Sequence, residues 1–104
     1  LVFGHFELEN FKMNSFKICD HGDNPEDLAA KAPLVFSGHF HLRAKRNFGN
    51  SEIIYVGNPY EMDFGDSMQS KGFYILDTED LSYEFIDNTL TPKHIKVFLS
   101  KLIV

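Results

Sequence analysis

Leu34-Val35-Phe36-Ser37-Gly38-His39-Phe40-His41 is the stretch on which the fold and the chemistry both turn. Three apolar residues halted by Ser and Gly read as a short buried strand, and two histidines stand just beyond its end. Working outward, Val2 to Phe6 repeats the pattern, an apolar run that ends at charged residues and carries His5 near its end. Ile53-Ile54-Tyr55-Val56 repeats it again and stops at Gly57-Asn58-Pro59. Between the first two runs, Asn24-Pro25-Glu26-Asp27 supplies an N-cap, a proline for the first helical position and acids for the first turn. This predicts a short helix ending before Pro33. Residues 7 to 24 read as irregular, with a weakly extended piece from Phe16 to Cys19. Gly72 to Leu76 and Leu81 to Ile86 are rich in aromatic and branched residues, and Asp77-Thr78-Glu79-Asp80 between them predicts a hairpin. At the end, Ile95, Val97 and Leu99 alternate as in a strand, while Ile95, Phe98, Leu99 and Leu102 would share a helical face; the strand is the favoured reading. The fold class is therefore α/β, mostly strands with one short helix.

Composition narrows the class of molecule. With 104 residues, 43% hydrophobic, 24% charged, 11 Phe and one Cys, the chain is a globular domain or part of one, and disordered, collagenous and disulfide-stapled classes are excluded. A net charge of −5 means that any contact with nucleic acid must use a local basic patch or bound cations. No apolar run approaches the roughly 18 residues of a spanning helix and no signal sequence opens the chain, so no membrane association is expected and a soluble, cytoplasmic protein is. Cys19 has no partner for an internal disulfide. The chain opens Leu1-Val2-Phe3-Gly4-His5 without a Met, which leads us to expect a fragment of a larger sheet, one that pairs with a copy of itself as a homodimer or with a missing N-terminal half.

His5, His39 and His41 all fall at the ends of apolar strands, the place where α/β enzymes gather their functional groups. If the segment after Gly38 is extended, His39 and His41 point the same way and Phe40 points oppositely, into the core. Neutral imidazole is the commonest nitrogen ligand of transition metals, and Gly38 lets a ligand approach closely. An isolated His-x-His on a loop is also compatible with ordinary surface polarity.

Gly38-His39-Phe40-His41 resembles the G-H-x-H motif of the calcineurin-like metallophosphoesterases, and Gly4-His5 resembles the single-histidine motif that precedes it. More narrowly, Leu34 to His41, Ile54 to Asp66 and Lys71 to Asp77 are similar to SbcD-type recombination nucleases, including the recombination endonuclease subunits of phages. The similarity runs over residues 1 to 88, and Asn58 stands where bacterial relatives often carry Ser or Thr. The resemblance implies that residues 1–88 form the C-terminal part of a metallophosphoesterase sandwich, with 89–104 starting the next segment. It implies a DNA nuclease subunit with two manganese ions, His5 and His39 binding one and His41 the other. It further implies that the carboxylate and Asn ligands precede Leu1, so that the fragment alone is inactive and binds metal weakly. The implied partners are DNA and an SbcC-type ATPase subunit, in a bacterial or phage-infected cell. The alternatives are a phosphoesterase acting on proteins or small phosphodiesters, and a binding module without catalysis.

Arg43, Lys45 and Arg46, with Lys12, are the side chains that could meet DNA phosphates; the alternative is a solvated turn between two strands. His21 and His94 read as structural or solvent-exposed, Cys19 as a small buried residue, and most Phe as core.

Overall fold

The computed structural model describes residues 1–95 and 97. Six strands, one short α-helix and one 3₁₀ turn make up these residues: β1 (Val2–His5), α1 (Pro25–Ala29), β2 (Leu34–Gly38), β3 (Ala44–Phe48), β4 (Ser51–Tyr55), β5 (Gly72–Leu76) and β6 (Tyr83–Asp87). This is the expected α/β class. The C-terminal strand or helix considered above lies largely outside the described residues; Ile95 and Val97 have no regular structure.

The first four strands form one mixed sheet in the order β1-β2-β4-β3. β1, β2 and β4 run parallel, so that Phe3 lies opposite Phe36 and Phe36 opposite Ile54. β3 returns antiparallel along β4 through a two-residue Gly49–Asn50 turn, with Arg46 opposite Ile53 and Lys45 opposite Ile54. The inner strand β2 is apolar from Leu34 to Phe36 and buried through Ser37 because both of its faces are covered. On one face Val35, Ile53 and Tyr55 pack with Ala29 and Ala32 of the helical region and with Leu8, Phe11, Cys19 and Phe40 from the loops. On the other, Leu34, Phe36 and Ile54 pack beneath Tyr74, Leu76, Leu81 and Tyr83 of the β5–β6 hairpin. Fully burying a large apolar side chain is worth about 1.5–3 kcal/mol, so these two clusters carry the fold.

The helix starts as its sequence dictates: the Asn24 side chain accepts the Glu26 N–H at 2.9 Å, and Pro25 fills the first turn. The hairpin turn is longer than its sequence suggested, since β6 begins at Tyr83 and Leu81 closes back on the Asp77 carbonyl at 2.8 Å. The solvated turn considered for Arg43, Lys45 and Arg46 is instead strand β3, which Arg43 immediately precedes. Its Ala-Lys-Arg-Asn-Phe sequence lacks an apolar run because it is an edge strand with its middle residues open to solvent. Core packing holds for Phe11, Phe36 and Phe40, whereas Phe3, Phe16, Phe64 and Phe73 are more than half exposed.

Among the cavities of the described residues, two bear on the ends of β1 and β2. The larger, about 430 Å³, lies between β1–β2 and the hairpin, and Phe3, Phe36, Phe73 and Leu76 make it apolar. The smaller, about 270 Å³, is lined by His39, His41, Asp63 and Asp66. Of these two, the smaller gathers the strand-end histidines with carboxylates, whereas the larger has no ionisable side chain but Tyr74.

Candidate metal centre

β1 and β2 end side by side, with His5 opposite Gly38 in the parallel register. A Cβ on Gly38 would stand 3.1 Å from His5 Nδ1, so the glycine is what lets the imidazole lie across the strand end. The His39 ring meets the His5 ring edge-on, with centroids 5.0 Å apart. Sequence spacing thus brings two of the candidate ligands into contact through strand pairing.

The extended geometry assumed for His39-Phe40-His41 is not what forms. His39 has φ +93°, a left-handed conformation that L side chains rarely adopt, and the chain bends sharply at the end of β2. Such a residue costs of order 1–3 kcal/mol and persists only where its surroundings hold it. Phe40 is the holder. It is 4% exposed and stacks on Tyr55 at 4.7 Å, and the His39 ring lies 5.0 Å from its own. The expectation that Phe40 wedges into the core is met, by a bend rather than by strand alternation.

His41 lines the same cavity as His39 but has a different neighbour. Its Nδ1 lies 3.3 Å from Asp66 Oδ1. Asp66 is only 2% exposed, and its other oxygen accepts hydrogen bonds from Asn58 Nδ2 and the Met62 N–H, both at 2.9 Å. Lys71, buried beside it, lies 3.5 Å from Asp66 Oδ1 and donates to the His41 carbonyl at 2.7 Å and to Gln69 Oε1 at 2.8 Å. Burial pushes the Asp66 carboxyl up, but the bonds from Met62 and Asn58 and the charges of Lys71 and His41 outweigh it, and it stays below the usual carboxylate range. Burial likewise pushes Lys71 below its ordinary value against the pull of Asp66. A carboxylate beside one imidazole nitrogen is the usual outer partner of a metal-bound histidine, and it leaves Nε2 as the nitrogen that would face a metal. Asp66 and Lys71 were not singled out from sequence; the available signal was two charged residues bracketing the Asp66-to-Lys71 turn in the stretches that carry the family resemblance.

The backbone leaving β1 is fixed by two hydroxyls. Ser37 Oγ accepts the Phe6 N–H at 3.0 Å, while Tyr55 Oη donates to the Phe6 carbonyl at 2.7 Å and accepts the Leu8 N–H at 3.1 Å. Burial pushes the Tyr55 phenol up to about 12, so it remains a donor. Between those anchored residues stands Glu7, with Oε1 4.0 Å from His39 Nε2 and 3.0 Å from His21 Nε2.

The basic residues do not make one patch. Arg43 lays its guanidinium 3.4 Å above the Phe85 ring centroid and bonds Tyr74 Oη at 3.2 Å, so it clamps the hairpin to the sheet. Lys45 shares its face with Ile54 and pairs with Glu52 at 3.6 Å, whereas Arg46 shares the opposite face with Ile53 and rests 5.2 Å from the Phe11 ring centroid. His94 is bound to Glu61, its N–H donating at 2.6 Å and Nδ1 lying 3.1 Å away, which ties the residues after Asn88 to the body. No helix among the described residues is long and apolar enough to cross a membrane.

No family model and no solved structure matches the chain. Over 88 residues the chain is 34% identical to "Exonuclease subunit 1" of Enterobacteria phage T4, an alignment that takes in 85% of this chain. The matched part spans 24% of the length of that protein, and across it the chain is related to a subunit of a phage nuclease.

Proposed function

We propose that this chain supplies the histidine side of a two-manganese centre in a DNA nuclease subunit. The observation that carries the reading is the meeting of the β1 and β2 ends, which sets His5 against His39 and places His39 and His41 on one cavity with Asp66. Imidazole and carboxylate donors suit manganese, and the cavity wall offers both. His5 and His39 would hold one ion and His41 the other. Bound metal would supply a nucleophilic water at neutral pH and charge to stabilise a phosphodiester in displacement. The protein's own contribution is positional: Gly38 seats His5, the Phe40 wedge fixes His39, and Asp66 orients His41. The similarity to a phage exonuclease subunit supports DNA over other phosphodiesters, and the resemblance of the motifs to SbcD-type nucleases makes an SbcC-type ATPase the proposed assembly partner. Of the four basic residues considered for phosphate contact, Arg46 and Lys12 are exposed and outside any ion pair among the described residues, on a chain whose net charge of −5 gives no general attraction.

The test is cleavage of linear DNA by the full-length gene product in Mn²⁺, beside its His39→Ala and His41→Ala forms. We expect cleavage that fails with chelator and falls at least about 100-fold in either variant, as loss of a metal ligand requires. Turnover of small phosphodiesters or phosphoproteins with DNA left intact would favour the broader phosphoesterase class. Absence of any turnover would favour a binding module.

A further inference from the structure

A second group of ligand-type side chains lies on the far side of Glu7. One ligand atom each from Glu7, Cys19 and His21 falls within 4.8 Å of the other two, and Glu7 Oε1 lies 3.0 Å from His21 Nε2. In a tetrahedral zinc site, bond lengths near 2.0–2.3 Å place donor atoms about 3.3 to 3.6 Å apart, so small side-chain motions would bring these three onto one ion. The geometry points to a zinc site made by Glu7, Cys19 and His21. It does not rest on the nuclease reading.

The site is assembled by the irregular excursion between β1 and α1. That excursion folds back on itself through Asn10 N–H to the Cys19 carbonyl, Cys19 N–H to the Phe11 carbonyl and Asp23 N–H to the Glu7 carbonyl, all 2.8–2.9 Å. Gly22, at φ +105°, allows the close crossing, because a Cβ there would fall 2.3 Å from the Glu7 carbonyl oxygen. His21 is held from behind: its Nδ1 lies 3.0 Å from Asp20 Oδ1, which leaves Nε2 directed at Glu7. A carboxylate behind the distal nitrogen is the usual outer partner of a metal-bound histidine. Cys19 is fully buried, so the ion would be partly screened from solvent, while Glu7 and His21 stay open enough to admit it.

The donor set also selects the metal. One thiolate with one imidazole and one carboxylate favours zinc over manganese, since thiolate is a soft ligand and manganese prefers oxygen. Binding requires the thiol to lose its proton and its present bond to the His21 carbonyl at 2.7 Å. Three protein ligands leave a fourth position for water, as in open rather than closed zinc sites. Glu7 is the hinge between the two centres, because the same oxygen stands 4.0 Å from His39 Nε2.

The test titrates the reduced 104-residue chain with Zn²⁺ against a chromophoric chelator and, separately, with Co²⁺ while recording near-ultraviolet absorption. We expect one Zn²⁺ per chain and a thiolate-to-cobalt band. Cys19→Ser should abolish the band and weaken Zn²⁺ at least about 10-fold, the loss typical of even an outer partner. His21→Ala removes a side chain that is 58% exposed and leaves the core untouched, so it must weaken Zn²⁺ as well even if Cys19→Ser misfolds. Cobalt bound without the thiolate band, no Zn²⁺ bound at all, or Zn²⁺ kept in His21→Ala and lost in His41→Ala would overturn the proposal.

Discussion

His39 and His41 are two residues apart and open to solvent to nearly the same degree, 39% and 43%, yet they are held by opposite means. His39 owes its place to a left-handed backbone, kept there by the stacked Phe40 and by the neighbouring His5 ring. His41 owes its place to a buried carboxylate that is itself bonded to Asn58, Met62 and Lys71. The first arrangement stores strain and is repaid by packing. The second arrangement stores charge, and is repaid by hydrogen bonds. Substitutions on the two sides should therefore differ in sign as well as in size.

The largest effect is expected on the charged side. Asp66→Ala leaves Lys71 buried without its partner, and the cost of breaking such a pair is about 3–5 kcal/mol. Urea denaturation of the variant beside the parent chain measures it, and a loss below 1 kcal/mol would mean that Lys71 finds water or another acid. Tyr55→Phe comes next. It strips the hydroxyl that serves both the Phe6 carbonyl and the Leu8 N–H, leaving buried groups unpaired at a cost of about 1–3 kcal/mol. On the strained side the sign reverses. His39→Gly removes the steric penalty at φ +93° and should stabilise the chain by about 1 kcal/mol, net of the greater freedom of glycine in the unfolded state. A destabilised His39→Gly would show that ring contacts, not backbone strain, dominate there.

The smallest effect is a dependence on pH. The Asp66 carboxyl lies below its unfolded value, so its contribution is full above about pH 4 and is lost as pH falls through the lowered folded value. Glu61, lowered chiefly by the backbone N–H of His94, acts with the same sign. Urea midpoints followed downward from pH 6 should fall, and should fall less steeply in Asp66→Asn. Equal slopes would detach Asp66 from the acid transition.

What the sequence discloses and conceals follows the same division. β2 and β4 are legible because short apolar runs ending at Gly are how strands covered on both faces look, β1 is legible from its apolar start although it is an edge strand with Phe3 exposed, and α1 is legible from Asn24 and Pro25. β3 is not, because an edge strand with one neighbour and a solvent-facing middle needs no hydrophobic run. The three strand-end histidines were visible as a pattern. The bend at His39 was not, since a positive φ is read from Gly or Asn and here falls on a histidine. Asp66 and Lys71 were hidden for a related reason: charged residues are assigned to the surface unless something marks them as paired, and their pairing crosses a turn that only the folded chain closes.

The central claim is that His5, His39 and His41 serve one metal centre, and Mn²⁺ itself can report on it in the 104-residue chain even where it binds weakly. The measurement is paramagnetic broadening of the five histidine ring resonances as Mn²⁺ is added in small substoichiometric steps. The account predicts that the rings of His5, His39 and His41 broaden together and ahead of His94, whose Nδ1 is engaged by Glu61. Broadening that begins at His94, or that reaches only one of the three strand-end histidines, would contradict it.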